Sequence, residues 1–283
     1  MVEGDLHTHT TRSDGRKTPE EAIRLYREAG YDFLALTDHW VPSEGGEADG
    51  RLLLPGCEYD VGREVAQEGI YHIVSIGAKK MPDLRKSPFW KPQQILDIVH
   101  EAGGFAILAH PAWSLNRPEQ IEKLRGVDAA EIYNTMSGNP WNGRRADSSV
   151  ILDMVSAAGT LIPSVASDDA HFYTGEQCRS FVWVQADELT EEAILDALRQ
   201  GRFYASQGPQ MELSLERGRI RVRCTPAQNI LFYSDQVWSS LRSVTGENLE
   251  EAEYLLCPGE TFLRVEVIDK EGRIAWSSPI SAE

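Results

Sequence analysis

The sequence has little of what marks a secreted, membrane-bound or nucleic-acid-coating protein. Its four cysteines, Cys57, Cys178, Cys224 and Cys257, stand far apart with no CxxC pair. That spacing argues against a thiolate zinc cage or a redox motif and leaves reduced, inert thiols. No apolar run approaches the length of a membrane span. The N-terminus is polar and acidic where a signal peptide needs a basic patch and an apolar stretch, so a cytoplasmic location and no membrane partner are expected. Positive charge is also in deficit, 28 Lys and Arg against 44 Asp and Glu, for a net −16. A broad electrostatic grip on nucleic acid is disfavoured, whereas a local cationic site is not. There is no internal repeat and no low-complexity segment, and the glycines of SEGGEADG (43–50) mark a loop too short to separate domains.

What is present is an ordinary globular balance, 41% hydrophobic and 25% charged, over 283 residues. Such a length can bury one large α/β core, alone or with a smaller appendix. From residue 5 to about 205, short apolar runs alternate with helical patterns, the signature of βα units and a largely parallel sheet. The strand candidates are GDLHTH, YDFLALTDH, RLLLPGCEY, YHIVSIG, FAILAH, AAEIYN and LIPSVASDD. The helix candidate TPEEAIRLYREAG (18–30) opens with Thr18, Pro19 and Glu21 as N-cap, first-turn proline and third-position acid, and closes on Gly30. KPQQILDIVHEAGG and LTEEAILDALRQG follow the same grammar. About seven alternations suggest a small TIM-type barrel ahead of an open doubly wound sheet, a choice the pattern alone leaves open. After GRFYASQGPQ (201–210), MELSLERGRIRVRCT and TFLRVEVIDKEGRIAWSS alternate apolar and polar residues around tight turns. The division expected is therefore a barrel over 1–209 and a small β-rich domain over 210–283.

In parallel α/β folds chemistry sits at the carboxyl ends of the strands. His7 and His9 end the first strand, Asp38 and His39 the second, Glu58 the third and His110 the fifth, while Asp169 and His171 follow the last. Strand alternation makes His7 and His9 project together, pairs Asp169 with His171, turns Asp168 aside and faces Cys57 away from Glu58. Any one of these residues alone reads best as an ordinary hydrogen-bonded group; six histidines and three carboxylates on one rim read as metal ligands. His72 fits less simply. It begins its strand, so it is a core histidine unless a hairpin or reversed strand after Glu58 turns it toward the rim. His100 lies inside a predicted helix and reads as a surface residue.

The blocks HTHTTRSDG (7–15), TDH (37–39), PGCE (55–58), HIVSIG (72–77), AHP (109–111), EIYN (131–134) and SDDAH (167–171) occur in order. Together they resemble the PHP (polymerase and histidinol phosphatase) domain, and LTEEAILDALRQGRFYASQGP is similar to its CehA/McbA-like branch. The resemblance covers about residues 1–210. It implies a distorted (β/α)7 barrel holding two or three divalent metals. It also implies a division of ligands: His7, His9, Glu58 and Asp169 at one site, Glu58 bridging to a second with His72 and His110, and Asp14, His39 and His171 at a third.

Imidazoles and carboxylates without thiolate suit Zn, Mn or Fe. A carboxylate shared by two ions fits a centre that generates hydroxide at neutral pH. The expected reaction is attack of a metal-bridging hydroxide on the phosphorus of a small phosphorylated metabolite or nucleotide, by a phosphatase or phosphodiesterase. Asp38 is a candidate to orient a ligating imidazole, and Asn134 a ligand or hydrogen-bond donor at the site. Because bidentate arginine matches phosphate, Arg144 on the loop after EIYN is the first candidate for a cationic clamp, ahead of Arg145, Arg12, Arg16 and Arg179. Trp141 beside it is a candidate to stack on a ring, or simply local packing. Two other readings are a metal-dependent hydrolase of a carboxylic ester, amide or carbamate, and a non-catalytic metal- or ligand-binding module. A nucleic-acid partner is disfavoured by the charge, and the sequence carries no signal of oligomeric state.

Overall fold

The computed structural model describes residues 1–62 and 69–282. It is a mixed α/β fold whose strands form two sheets. The first helix, Pro19–Ala29, is set by its sequence: the Thr18 hydroxyl accepts from Glu21 N, Glu21 answers on the Thr18 backbone, and Gly30 ends the helix in the left-handed region. Thr190 caps the helix Glu191–Arg199 in the same way, accepting from Ala193 N.

The expected strands form, with one division. RLLLPGCEY is two strands, because Pro55 has no N–H to give a ladder. Arg51–Leu54 pairs in parallel with Phe33–Ala35 in the larger sheet, and Gly56–Gly62 starts the smaller one. There it runs antiparallel to Ile70–Ile76, which is in turn antiparallel to Phe105–Ala109. Phe105–Ala109, Ala129–Asn134 and Ser164–Ser167 then follow in parallel. These strands are buried on both faces: Ile73 and Leu108 pack outward against Ile95, Leu96 and Val99, whereas their neighbours Val74 and Ile107 pack inward with Leu6, Phe33 and Val165.

The two sheets meet at the strand ends through single bridges, Thr8 beside Ala170 and His39 beside Glu58. Asp169 N donates to His7 O (2.8 Å), Thr37 N to Thr8 O (2.8 Å) and Glu58 N to Thr37 O (3.1 Å). Among the described residues the strands thus make two ladders joined at one rim, not one continuous closed sheet.

Beyond Met211 the strands are antiparallel as expected, with an additional long strand at Ser243–Leu255, and they enclose a core of their own that includes Ile220, Val222, Ile230, Phe232, Tyr254 and Val265. They also continue the larger sheet, since Ile274–Trp276 pairs with Phe203–Ser206. Trp276 is fully buried and stacks on Tyr133 at 5.3 Å. No helix among the described residues is long and apolar enough to cross a membrane.

Candidate metal centre

The rim collects the nine predicted ligand residues into one cluster of six imidazoles and three carboxylates. On its floor the Nε2 atoms of His7 and His9 stand 3.1 Å apart. Each approaches Glu58 Oε2 (3.3 and 3.1 Å) and Asp169 Oδ1 (3.2 and 3.1 Å). All four side chains are buried. Glu58 divides its two oxygens between two sets of rings. Oε2 faces His7, His9 and also His39 Nδ1 (3.1 Å), while Oε1 faces His72 Nδ1 (2.8 Å) and His110 Nε2 (3.4 Å). Nearer the mouth, Asp14 lies 3.5 Å from His171 Nε2, 3.6 Å from His9 Nδ1 and 3.8 Å from His39 Nε2. His9 therefore faces the floor with one nitrogen and the mouth with the other.

Local backbone explains how these residues arrive. His72 reaches the cluster because Ile70–Ile76 is reversed, so the start of that strand lies beside the end of its neighbour, with His72 opposite Ala109. The loop after His9 turns sharply enough to bring Asp14 back, with Gly15 N donating to Thr10 O at 2.9 Å. A Cβ on Gly15 would lie 2.5 Å from the His9 carbonyl, so only glycine fits. His110 (φ 31°) and Asp169 (φ 53°) are left-handed. Non-glycine residues pay for that conformation and keep it chiefly where the surroundings enforce it, often at functional sites.

The geometry corrects the readings of Asp38 and Arg144 and narrows those of Asn134 and Trp141. Asp38 touches no imidazole. Its carboxylate accepts from Thr10 N (2.8 Å), Thr10 Oγ1 (2.7 Å), Ser13 N (3.1 Å) and Ser13 Oγ (2.7 Å), because alternation points it away from His39. It pins the 10–13 loop, and reaches a ring only through Ser13 Oγ, 3.4 Å from His9 Nδ1. Asn134 is fully buried behind the cluster, donating to Asp169 Oδ2 (3.2 Å) and Glu131 Oε2 (2.7 Å), so it holds ligands and does not face the cavity. Arg144 is exposed and does not line the cavity, since its loop carries it outward. Trp141 donates to Thr174 Oγ1 (2.9 Å) and also lies outside the lining. His100, as read from sequence, is exposed and pairs with Asp128 at 2.9 Å.

Two carboxylates went unremarked in the sequence. Glu131, buried, takes His7 Nδ1 at 2.7 Å, His110 N at 2.7 Å and the Ser167 hydroxyl, which leaves His7 Nε2 for the floor of the site. Asp60 lies 3.4 Å from His39 Nδ1 and accepts from Trp40 Nε1 at 2.7 Å. The only signal for Glu131 was a charged residue inside an otherwise apolar strand. Glu131→Gln should lower metal affinity or kcat/KM about 10–100-fold, the usual cost of losing a group that orients a ligating histidine. Metal titration checks this, and unchanged affinity together with unchanged activity would count against the role.

The electrostatics favour a cation. Burial alone would lower the His7 pKa, yet Asp169, Glu58 and Glu131 hold it well above the usual imidazole range. Against the same opposing effect of burial, carboxylates raise His39 and His171 to about 9. Burial works to raise Glu58, and the surrounding imidazoles keep it well below the usual carboxylate range. Among the described residues Asp169 Oδ1 and His39 Nδ1 are buried without a well-aligned hydrogen bond, although imidazole or carboxylate atoms stand 3.1–3.4 Å away. Orphaned lone pairs in a nitrogen and oxygen cluster without thiolate fit divalent transition-metal ions.

The fold and rim define a class of α/β protein with a many-histidine rim whose side chains could hold metal ions, and comparison with known proteins is consistent with the fold. No family model matches the chain. Over 119 residues it is 28% identical to the 5'-3' exoribonuclease Rnm of Salmonella typhimurium, a match spanning 42% of this chain and 33% of that protein. The chain thus aligns to about a third of that relative's length. Among solved structures it is similar to a two-domain protein from Bacteroides vulgatus containing a predicted PHP-like metal-dependent phosphoesterase. That match has a TM-score of 0.53 at 17% identity and covers 99% of this chain and 95% of that one. The likeness is one of fold, and it extends through the C-terminal strands. An amidohydrolase from Chromobacterium violaceum matches with a TM-score of 0.44 at 15% identity over 61% of this chain and 89% of that one.

Proposed function

We propose that this chain is a metal-dependent phosphoesterase of the PHP type, in the CehA/McbA-like branch, acting on a small phosphorylated molecule. The observation that carries the reading is Glu58, whose two oxygens face separate histidine sets as a carboxylate shared between two ions must. We read His7, His9, Glu58 and Asp169 as one site, Glu58 with His72 and His110 as a second, and Asp14, His39 and His171 as a third. Residues 1–209 would act as the catalytic unit, a distorted seven-stranded barrel whose two seams are the bridges at Thr8 and His39. Residues 210–283 would extend it. Two or three Zn, Mn or Fe ions held there would supply Lewis acidity toward phosphoryl oxygens and a nucleophile at neutral pH.

The protein's own residues do the rest. Glu131 and Asn134 fix His7 and Asp169 from behind. Ser114 Oγ, 3.2 Å from His110 Nδ1, leaves His110 Nε2 facing Glu58. Asp38 stiffens the loop that carries Asp14. Preorganised groups of this kind lose little to rearrangement during reaction. A small substrate is favoured over a polymer by the net charge of −16 and by a cavity of about 180 Å³ whose lining, among the described residues, includes no Lys or Arg.

A lining free of Lys and Arg among the described residues also favours a second reading, an uncharged carboxylic ester or amide. p-Nitrophenyl phosphate and bis-p-nitrophenyl phosphate assayed beside p-nitrophenyl acetate, with Mn²⁺ or Zn²⁺ added, decide between them. Metal-dependent turnover of either phosphoester is expected, and turnover of the acetate alone would replace the first reading with the second.

A further inference from the structure

Above the metal ligands the cavity is lined by Trp113, Met136, Ser137, Asn142 and Phe172. These residues form a largely apolar chamber with one hydroxyl, that of Ser137. Trp113 flanks one end, its ring 5.0 Å from His110 and 5.6 Å from His72, both edge-on. Phe172 flanks the other end beside His171, with centroids 6.4 Å apart. The Arg16 guanidinium lies 4.8 Å from the centre of the Phe172 ring. Met136 and Ser137 are buried. Asn142 is turned to the backbone, donating to Met136 O at 3.1 Å. Ser137, only 2% exposed, presents its side chain to this cavity.

Both aromatic walls are held in place. The fully buried Glu176 carboxylate accepts from Phe172 N, Tyr173 N and Thr174 N (2.5, 2.5 and 2.9 Å), which fixes the turn that presents Phe172. Trp113 O accepts from Arg145 Nη1 at 3.3 Å, and Ala112 N donates to Ser148 Oγ at 3.0 Å. The backbone that carries each ring is thus held, and a pocket preformed to that extent has less freedom to lose when a ligand arrives.

We propose that Trp113 and Phe172 are specificity-determining residues that seat a flat, unsaturated organic group of the substrate, with the Ser137 hydroxyl as a hydrogen-bond donor to one of the phosphoryl oxygens. The inference rests on the phosphoester reading of the adjacent metal cluster. An aryl or heterocyclic ester fits the lining. A polyol phosphate does not, because among the described residues the chamber offers one hydroxyl and no charged side chain apart from the metal-ligand candidates.

The test uses the full chain loaded with Mn²⁺ and two non-hydrolysable probes, phenylphosphonate and methylphosphonate, with binding measured by calorimetry. The wild type is expected to bind the phenyl compound about 10-fold more tightly, near the upper range of aromatic pairing plus burial. Trp113→Ala and Phe172→Ala should each erase most of that preference while methylphosphonate affinity stays within about 2-fold, and Trp113→Phe should restore it. Ser137→Ala should weaken both probes alike, by about 5-fold, as for one lost hydrogen bond. Equal affinity of wild type for the two probes, a parallel loss of both in the aromatic variants, or no binding of either would overturn the proposal. A phenyl preference without turnover of phenyl phosphate would retain this pocket and remove the phosphoesterase reading. Turnover without a phenyl preference would do the reverse.

Discussion

Glu58→Gln is expected to strip the protein of at least one metal equivalent and to reduce kcat/KM on the order of 10³-fold, since shared metal coordination supplies several kcal/mol of charge stabilisation. The size follows from position. Five imidazoles, those of His7, His9, His39, His72 and His110, lie within 3.4 Å of the two Glu58 oxygens. Glutamine keeps the shape but presents a neutral oxygen to one set and an N–H₂ to the other. A metal ion cannot accept that N–H₂, so one side of the bridge is lost whichever way the amide turns. Elemental analysis of the purified variant beside the wild type measures the first effect and a steady-state assay the second. Full metal content with kcat/KM within 10-fold of wild type would refute the bridging role. The double variant His7→Ala, His9→Ala is the companion experiment. It should lose metal and activity with the fold largely kept, because the strand pairing of Val2–Asp5 lies before both residues.

The second large effect concerns stability. Arg264→Ala should destabilise the fold by about 3–5 kcal/mol, the cost of breaking a buried ion pair and leaving its partner uncompensated. Arg264 is 1% exposed. It grips Asp153 with two parallel bonds, Nε to Oδ1 at 2.8 Å and Nη2 to Oδ2 at 2.9 Å, and meets Glu266 Oε1 with Nη1 at 2.6 Å. Its guanidinium also lies 4.5 Å from the centre of the Tyr233 ring. Asp153 belongs to the helix Ser149–Ala157 and Arg264 to the strand Phe262–Ile268, so the pair ties the C-terminal strands to the α/β part of the chain. Removing the arginine leaves the buried Glu266 without its counter-charge. Denaturant unfolding followed by circular dichroism reads the effect, and a loss under about 1 kcal/mol would show the tie to be dispensable. Arg264→Met combined with Glu266→Gln should cost less, because the buried Glu266 charge is then not stranded and Asp153, the other partner, is partly exposed to solvent.

Legibility in the sequence tracks how local the physics is. Thr18, Pro19, Glu21 and Gly30 mark a helix because capping involves atoms within one turn, and the structure places the helix at Pro19–Ala29. Period-2 alternation placed His7 with His9 and turned Asp168 elsewhere, onto Tyr26 OH and the backbone of residues 178–180. The same alternation should have warned that Asp38 faces away from its neighbour His39, and the 10–13 loop takes its carboxylate instead. Pro55 was visible as a residue without a donor, yet its consequence depends on there being a second sheet for Gly56 to join.

Glu131 and the two aromatic walls were out of reach for another reason. A glutamate in a strand, a tryptophan after a proline and a phenylalanine beside a histidine are common. Each acquires a role only when strands distant in sequence set it against His7, His110 or His171. The direction of Arg144 likewise depended on the course of its loop, which no periodicity describes.

By itself the amino-acid sequence determined the helices and their caps, most of the strand segments and the grouping of donor residues at strand ends, because these follow from contacts a few residues long. Tertiary structure alone decided that Ile70–Ile76 runs backwards so that His72 joins the cluster, that one carboxylate faces two sets of histidines, and that the C-terminal strands extend the larger sheet. Those features depend on which strand lies beside which, and strand pairing is fixed by burial and hydrogen bonding across the whole chain.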